Sequence, residues 1–376
     1  MMKIFFWGSL CFIAYTYVGY PLVLLLWSKI RHRTVDKSYI EPTVSIIIAA
    51  YNEERFIGPK IENCLNLSYA KDKLEIIVVS DGSDDGTNEI VRQFQSEAVE
   101  FYSYEERKGK AHALNLGIAK AKGEVIFFTD ARQILQRDCL KELVSNFHDP
   151  SVAVVSGELV LLSEEENEVS EGIGLYWKIE KWMRRKESQI HSVLGATGSI
   201  YACRRNLVKP LPVQTVLDDV LIPFGAILRG YRSVFEPKAK AFDLVNDDLK
   251  REFKRKVRTL AGNYQILCLK PSLLHPYRNP VLIQFISHKI ARLFVPFAMI
   301  LLLVSNFLLT SPFYLIFLFF QIGFYFLALF SKWSHDNCLG NFMRSLNVIL
   351  VFNTAALVSF FRFIYSRQDI RWEKTN

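Results

Sequence analysis

The chain lacks the cysteine patterns that bind zinc or cross-link small secreted domains. Its six cysteines are scattered along 376 residues, and none stands at a short spacing from another. Neither a zinc ribbon nor a disulfide framework is therefore predicted. The sequence also has no internal repeat and no low-complexity segment, which argues against a repeat protein or a long disordered region. A reducing cytosol suits these cysteines.

Charge is scarce in the long apolar stretches towards both ends of the chain. Charged residues concentrate between Lys29 and His288, and the sequence on either side is strongly apolar. The net charge is +8, and its basic residues collect beside apolar stretches, where anionic lipid headgroups attract them. We therefore interpret the positive charge as membrane-surface charge, with membrane lipids as partners, and expect no nucleic-acid partner.

Four apolar stretches are long enough to cross a hydrocarbon core of roughly 30 Å. The stretches are residues 4–27, 286–309, 313–330 and 346–365. The first carries no charge and runs directly into Lys29 and Arg31, so we expect a retained anchor and not a cleaved signal peptide. By the positive-inside rule these cations place the following domain in the cytoplasm. Three C-terminal spans would put the basic tail outside, so a re-entrant stretch remains an alternative.

Between the first two apolar stretches, short apolar runs alternate with polar, helix-like segments. Residues 44–49, 74–79, 125–128 and 152–155 are predicted as buried strands, and residues 53–67 and 85–94 as helices. The pattern predicts an α/β domain with a largely parallel sheet, whose ligand binds at the carboxyl ends of the strands.

The predicted organisation has five parts. We expect an N-terminal transmembrane helix (1–30), the sheet domain (40–248), basic interfacial helices (249–285), a C-terminal membrane region (286–366) and a tail (367–376). In the basic segment Phe253, Val257 and Leu260 share one helix face, so this helix is expected to lie on the membrane surface.

Acidic and polar residues follow the predicted strands. They occupy residues 50–54, 80–87 and 129–132, and the pair Asp218 and Asp219 precedes a later apolar helix. Each of these segments taken alone is explained as well by helix capping. Four such segments in one sheet domain favour a catalytic site over capping.

Seven segments, in this order, resemble the membrane glycosyltransferases of family 2, the group of cellulose, chitin, hyaluronan and poly-N-acetylglucosamine synthases. The segments are residues 44–54, 78–87, 109–115, 129–132, 195–205, 217–220 and 255–258. The resemblance covers nearly the whole chain. It implies a GT-A (Rossmann-like) fold, a UDP-type nucleotide-sugar donor, and direct displacement with inversion at the anomeric carbon.

The resemblance also implies roles for single residues. Asp219 matches the general base, with Asp218 beside it, and Gly198 and Ser199 lie in the loop that shapes the acceptor site. Asp130 matches the first acid of the Asp-x-Asp metal motif. The residues expected to bind the donor are Ala50, Tyr51, Glu53, Asp81, Lys110, Asp130, Arg132, Arg255 and Arg258.

Two departures from the family pattern affect the interpretation. Arg132 replaces the second acid of the metal motif, so Mg²⁺ or Mn²⁺ would bind through Asp130 alone, or the arginine itself would neutralise the diphosphate; metal dependence is left open. The Gln-x-x-Arg-Trp motif has Thr259 in place of its tryptophan. This weakens the case for long polymers, and Trp177 and Trp182 are candidate substitutes.

The predicted function is sugar transfer to a growing polysaccharide at the inner face of a bacterial-type plasma membrane. One alternative is transfer of a single sugar to a polyprenyl-linked or other lipid acceptor. A second alternative is an inactive scaffold that binds nucleotide-sugar. Four spans leave little wall for a sugar channel, so polymer export would require a homo-oligomer or a partner subunit. The sequence does not name the sugar, because selectivity depends on a few contacts to one hydroxyl or acetamido group.

Overall fold

The computed structural model describes residues 1–162, 168–244, 249–333 and 338–365. The predicted tail at 367–376 and the predicted end of the sheet domain at 245–248 lie outside these ranges.

One mixed sheet forms the centre of the domain. Among the described residues its strands, numbered in chain order, are β1 Val44–Ala50, β2 Leu74–Asp81, β3 Val99–Tyr104, β4 Val125–Phe128, β5 Ile134–Leu135, β6 Val152–Leu162, β7 Tyr201–Arg204 and β8 Arg232–Leu244. Their spatial order is β3-β2-β1-β4-β7-β6-β8-β5. The four predicted strands are all present.

The expectation of a largely parallel sheet holds for six of the eight described strands. Strands β3, β2, β1 and β4 are parallel neighbours, and β6 and β8 are parallel to each other. Strand β7 runs antiparallel to both β4 and β6, which therefore point the same way, and β5 is antiparallel to β8. Strand direction depends on the path of the connecting chain and not on the apolar pattern of the strand. The α/β class and the GT-A-like Rossmann arrangement are confirmed.

The helices surround this sheet and continue into the apolar ends of the chain. Numbered α1 to α13, those described are Met2–Ala14, Tyr20–Ile30, Ile57–Leu65, Thr87–Gln93, Lys110–Lys120, Cys139–Val144, Glu168–Ile190, Asp218–Ile227, Leu249–Leu269, Leu282–Gln284, Ala291–Phe307, Pro312–Leu329 and Cys338–Ile364. A π-helical turn joins α1 to α2, and another joins α10 to α11.

The central strand β1 is buried on both faces. Alternate residues point to opposite sides of a strand. Ile46 therefore packs in the apolar layer that contains Ile57 of α3, and Ile47 in the layer that contains Leu114 of α5. Two covered faces explain why this strand is a continuous apolar run in the sequence.

Four helical segments are long and apolar enough to cross a membrane, within the part of the chain that was described. They are Met2–Ile30, Leu282–Phe307, Pro312–Leu329 and Leu339–Ile364. Large apolar side chains such as Phe319 and Phe320 are exposed on them, as expected for surfaces that face lipid. The prediction of one N-terminal and three C-terminal spans is confirmed, and the pattern is that of a membrane protein.

The basic helix α9 packs against the last span. Tyr264 stacks on Phe363 with ring centroids 5.6 Å apart, and the Lys256 ammonium lies 4.4 Å from the centre of the Phe352 ring. This helix, predicted to lie on the membrane surface, therefore also joins the sheet domain to α13.

Gly123 provides a test of the fold, because β1 passes close behind it. A Cβ at Gly123 would lie 2.6 Å from the backbone nitrogen of Ser45 and 2.8 Å from the carbonyl carbon of Val44. We expect Gly123→Ala to cost about 1–3 kcal/mol and to lower the midpoint of thermal unfolding of the detergent-purified chain. Gly225→Ala is the matched control, since the nearest atom lies 3.9 Å away, and it should leave stability unchanged or slightly raised. Equal losses in both variants would contradict this account.

Candidate active site

Lys110 brings together carboxylates from two separate segments. It is the first residue of α5, and its Nζ donates to Asp130 Oδ1 at 2.8 Å and lies 3.7 Å from Asp218 Oδ1. Asp130 follows β4, and Asp218 begins α8. The other oxygen of Asp218 accepts a hydrogen bond of 3.1 Å from the Tyr201 hydroxyl. The site expected at the strand ends therefore exists as one cluster.

Asp219 faces a glycine-containing loop. A Cβ at Gly198 would lie 3.3 Å from Asp219 Oδ2, so the absence of a side chain there lets the loop backbone approach the carboxylate closely. The Ala196 amide donates to the backbone oxygen of Asp219 at 2.6 Å. The loop at residues 195–199, hereafter the 195–199 loop, is thereby fixed opposite this acid.

The charges of the cluster set its protonation states. Burial and the neighbouring Asp218 raise the pKa of Asp219 to about 7, although the positive charges of Lys110 and Lys289 act in the opposite direction. Burial also acts to raise the pKa of Asp130, but Lys110 outweighs it and the pKa falls below its usual range. At neutral pH the cluster thus combines an ionised Asp130 with an Asp219 close to its own midpoint.

The pKa of Lys110 also moves so that the charged form is favoured. Burial acts to lower it, but the carboxylates of Asp130 and Asp218 outweigh this effect and raise it. Lys110 therefore stays charged, and the predicted donor-binding cation is a permanent one.

A buried lysine that sequence reasoning missed supports the end of β4. Lys60 is fully buried, and its Nζ donates to Thr129 Oγ1 and to the Gln133 carbonyl, both at 2.7 Å. Thr129 Oγ1 in turn donates to the carbonyl of Ser199 at 2.8 Å. These bonds fix the position of the 195–199 loop relative to Asp130, which follows Thr129. No sequence pattern distinguishes Lys60 from a solvated lysine of an amphipathic helix.

Asp81 is fully buried at the end of β2. Its carboxylate accepts hydrogen bonds from the Tyr104 hydroxyl at 2.8 Å and from the Gly109 amide at 2.9 Å. These bonds order the loop between β3 and α5. In this loop the Arg107 guanidinium stacks 3.7 Å from the centre of the Tyr51 ring. A direct contact between Asp81 and a nucleoside would require one of these bonds to be exchanged.

The predicted donor residues after β1 adjoin the loop after β2. Ala50 is buried and pairs with Ser80 in the parallel register. The Glu53 amide donates to Thr87 Oγ1 at 2.8 Å. The two strand ends therefore form one continuous edge.

Helix α9 brings the last predicted donor residues to the site. The charge of Arg258 contributes to the low pKa of Asp130. Arg255 lies 6.0 Å from the centre of the Trp177 ring, whereas Trp182 packs in a separate apolar cluster with the N-terminal helix. Of the two candidate substitutes for the missing motif tryptophan, Trp177 is the one beside this motif.

Comparison with known proteins identifies this domain. Residues 45–211 match Glycosyl transferase family 2. The chain carries a family 2 glycosyltransferase domain. This confirms the resemblance and the enzyme class that were predicted from the sequence.

The relatives of this transferase include polysaccharide synthases. The chain is 28% identical to a poly-beta-1,6-N-acetyl-D-glucosamine synthase of Staphylococcus aureus over 229 residues, which are 60% of this chain and 55% of that synthase. It is 25% identical to the Staphylococcus epidermidis protein of the same name, over 66% of this chain and 59% of the relative. The chain thus spans little more than half the length of these relatives.

A solved structure shares the whole architecture. The mannosyltransferase PcManGT from Pyrobaculum calidifontis, in complex with GDP-Man and Mn²⁺, matches with a TM-score of 0.74, covering 98% of this chain and 100% of that one at 20% identity. At this identity the likeness establishes the fold of the transferase.

Asp130 of the transferase is suited to a metal ion that also binds a substrate. Among the described residues no group of three or more His, Cys, Asp or Glu side chains could hold a metal ion. Asp130 is 40% exposed and has one oxygen bonded to Lys110. Mg²⁺ is usually held by one or two carboxylates together with substrate phosphates, so Asp130 suits an ion that a diphosphate also ligates.

Arg132, which replaces the second acid of the metal motif, is held by Asp243. Its Nε and Nη2 donate to the two oxygens of Asp243 at 3.2 and 2.9 Å, and Gln133 donates to the same carboxylate at 2.8 Å. The transferase therefore balances the charge of Arg132 within the protein. Asp243 lies in β8, far from Arg132 in sequence, and no motif pointed to it.

This pairing predicts the effect of restoring the motif acid. Arg132→Asp would place a second carboxylate beside buried Asp243, and we expect a loss of about 2–3 kcal/mol, less than for a fully buried pair because Arg132 is 26% exposed. Adding Asp243→Asn should recover most of the loss, because it removes the repulsion. Thermal unfolding of the single and double variants measures both effects, and an absence of recovery would refute the pairing argument.

Proposed function

We propose that the chain is an inverting glycosyltransferase that moves one sugar from a UDP-type nucleotide-sugar to a lipid-linked acceptor at the membrane surface. The observation that carries this proposal is the position of Asp219. It has a pKa of about 7, faces Gly198 of the 195–199 loop, and lies next to the cluster of Lys110, Asp130 and Asp218. A general base is most effective when its pKa lies near the working pH.

The proposed reaction is a single displacement. The acceptor hydroxyl gives its proton to Asp219 as its oxygen bonds to the anomeric carbon of the donor sugar. The bond from that carbon to the diphosphate oxygen breaks on the opposite face, and its electron pair leaves with the nucleoside diphosphate, so the configuration inverts. Lys110 and Arg258 stabilise the negative charge that develops on the leaving group.

The donor site is proposed to have two sides. Ala50, Tyr51, Glu53 and Asp81 form the nucleoside side, where Asp81 acts by ordering the loop that presents Arg107 to Tyr51. The phosphate side consists of Lys110, Asp130, Arg132, Arg255 and Arg258. Gly198 and Ser199 are proposed to border the acceptor.

Asp130 is proposed to be the residue that would hold a divalent ion, Mg²⁺ or Mn²⁺, when the donor is bound. When bound, such an ion neutralises negative charge on the leaving phosphates. The presence of Mn²⁺ with GDP-Man in the Pyrobaculum calidifontis mannosyltransferase supports this proposal.

The membrane helices favour a lipid-linked acceptor over export of a polymer. Two pairs of polar groups within the described spans bond to each other: Asn353 donates to the Tyr17 hydroxyl at 2.7 Å, and the Tyr15 and Ser287 hydroxyls lie 2.6 Å apart. Polar groups that line a sugar path would be open to it. Elongation of a polysaccharide, with a homo-oligomer or partner subunit completing a channel, is the second candidate, and the names of the Staphylococcus relatives favour it.

The proposed placement follows the charges beside the first span. The charges of Lys29 and Arg31 support a domain at residues 40–248 on the cytoplasmic side of a bacterial-type inner membrane. The proposed arrangement continues with interfacial helices at 249–285 and membrane spans within 286–366.

Release of nucleoside diphosphate by the detergent-purified chain tests the activity. A panel of UDP- and GDP-sugars is offered with a membrane lipid extract, and the product size separates single transfer from polymer. Asp219→Asn should lower turnover by about 10²–10⁴-fold, because the base is lost, and should leave donor binding intact. Asp72→Asn, which neutralises an exposed acid on a surface turn, is the control.

Chelator should abolish most of the turnover, and added Mg²⁺ or Mn²⁺ should restore it. Full activity in chelator would reject the metal proposal. Wild-type turnover retained in Asp219→Asn would reject this base, and a folded chain that binds donor but never turns over would support an inactive scaffold.

The pH dependence gives an independent test. Since Asp219 acts in its ionised form, kcat/KM should rise with pH to a plateau, with a midpoint of about 7. The charged groups that act on Asp219 include Asp218, Lys110, Lys289, Asp130 and Arg184. Lys289→Met removes a positive charge that lowers the pKa of Asp219, so it should move the midpoint upward. A midpoint near pH 4, or one that Lys289→Met lowers, would contradict the assignment.

A further inference from the structure

Helix α7 connects the 195–199 loop to the membrane spans. Glu180, Arg184 and Glu187 stand four and three residues apart in this helix and therefore share one face. The arginine bonds to the loop, and the two glutamates bond to the spans.

Arg184 holds the loop from behind. Its Nη1 donates to Thr197 Oγ1 at 2.8 Å, and its Nη2 donates to Ser156 Oγ at 2.8 Å and to the Gly195 carbonyl at 3.2 Å. The Thr197 amide also donates to Ser156 Oγ at 2.8 Å. The planar guanidinium thus fixes both the start of the loop and the strand beneath it.

The same loop is bonded to the proposed base. The Ala196 amide, between the two residues that Arg184 contacts, donates to the Asp219 carbonyl at 2.6 Å. Gly198, which faces the Asp219 carboxylate, comes two residues later. A displacement of Arg184 would therefore move the wall opposite Asp219.

The glutamates of α7 are engaged in a buried ionic network with the first C-terminal span. His288 Nδ1 lies 2.6 Å from Glu187 Oε1, and His288 Nε2 lies 3.1 Å from Glu180 Oε1. Arg292 donates to Glu180 Oε2 at 2.9 Å. From the N-terminal span, the Tyr20 hydroxyl donates to Glu187 at 2.7 Å.

Arg184 differs from this network in the partners it uses. Within the described ranges it forms no ion pair, and its hydrogen bonds go to neutral hydroxyl and carbonyl groups of the loop and of β6. The planar guanidinium fork donates to these groups in a fixed geometry. That geometry suits the orientation of the loop.

We propose that Arg184 is a positioning residue for the 195–199 loop, and that the network of Glu180, Glu187, His288 and Arg292 fixes α7 relative to the spans. The proposal rests on the proposed function, in which Asp219 takes the proton of the acceptor hydroxyl beside the 195–199 loop. Transfer to the acceptor then depends on Arg184, whereas donor binding and the slow reaction of the donor with water do not.

Arg184→Lys tests the loop end of this arrangement, because lysine keeps the charge but not the fork. We expect kcat/KM for the acceptor to fall by about 10–100-fold, as for a misplaced reacting group. Donor affinity and the rate of donor hydrolysis should stay within about twofold, since neither requires the aligned acceptor. Lys178→Met, an exposed change on the same helix, is the matched control and should behave as wild type. An equal fall in hydrolysis and transfer, or unchanged transfer, would overturn the proposal.

Hydrogen exchange separates this inference from the proposed function. Amides of residues 195–199 should exchange faster in Arg184→Lys than in the wild type or in Lys178→Met. This measurement needs no turnover. If the wild type had no transferase activity, the proposed function would be rejected, and hydrogen exchange would still test the positioning role of Arg184. Unchanged exchange in Arg184→Lys would reject the positioning role.

His288→Gln tests the membrane end. Like Arg184→Lys, it should speed hydrogen exchange of the 195–199 loop and lower kcat/KM for the acceptor. In the double variant the loss of kcat/KM should be smaller than the two single losses combined, because both changes act through α7. Fully additive effects would reject the coupling. If His288→Gln fails to fold, Tyr20→Phe removes one hydroxyl from Glu187 and should give the same effects at smaller size.

Discussion

The ammonium group of Lys110 allows three carboxylates to share one small volume. Asp130, Asp218 and Asp219 come from two separate segments, and without a cation between them their mutual repulsion would favour protonation or separation. Lys110 contacts the first two directly. Asp219 has no such direct contact with Lys110, and burial together with the charge of Asp218 raises its pKa. The protonation of this acid thus depends on its burial and on the charges beside it.

Two further pairings extend this charge balance around the site. Lys60 lies buried beneath the end of β4 and donates to two neutral oxygens there, so it adds positive charge behind Asp130 without occupying the carboxylate. Arg132 is balanced by Asp243 from β8. The replacement of an acid by an arginine in the metal motif is therefore matched by a partner elsewhere in the fold.

The catalytic domain and the membrane helices are joined by polar as well as apolar contacts. Helix α9 uses Tyr264 and Lys256 against the last span, and α7 uses Glu180 and Glu187 against the first C-terminal span. Breaking one partner of a buried ion pair is costly because the other charge stays buried. Such contacts fix an orientation more strictly than apolar packing does. Through α7 these contacts connect the first C-terminal span with the loop opposite Asp219.

Local pattern was enough to predict the parts of this protein whose burial is continuous or periodic. The strand Val125–Phe128, the four spans and the order of the acidic segments all follow from runs of apolar residues and the polar residues that end them. Tertiary structure alone decided the antiparallel course of β7, the pairing of Arg132 with Asp243, the burial of Lys60, and the network of Glu187 with His288. Each of these depends on residues that are distant in sequence, and a charged side chain has the same local pattern whether its partner is water or a buried counter-ion.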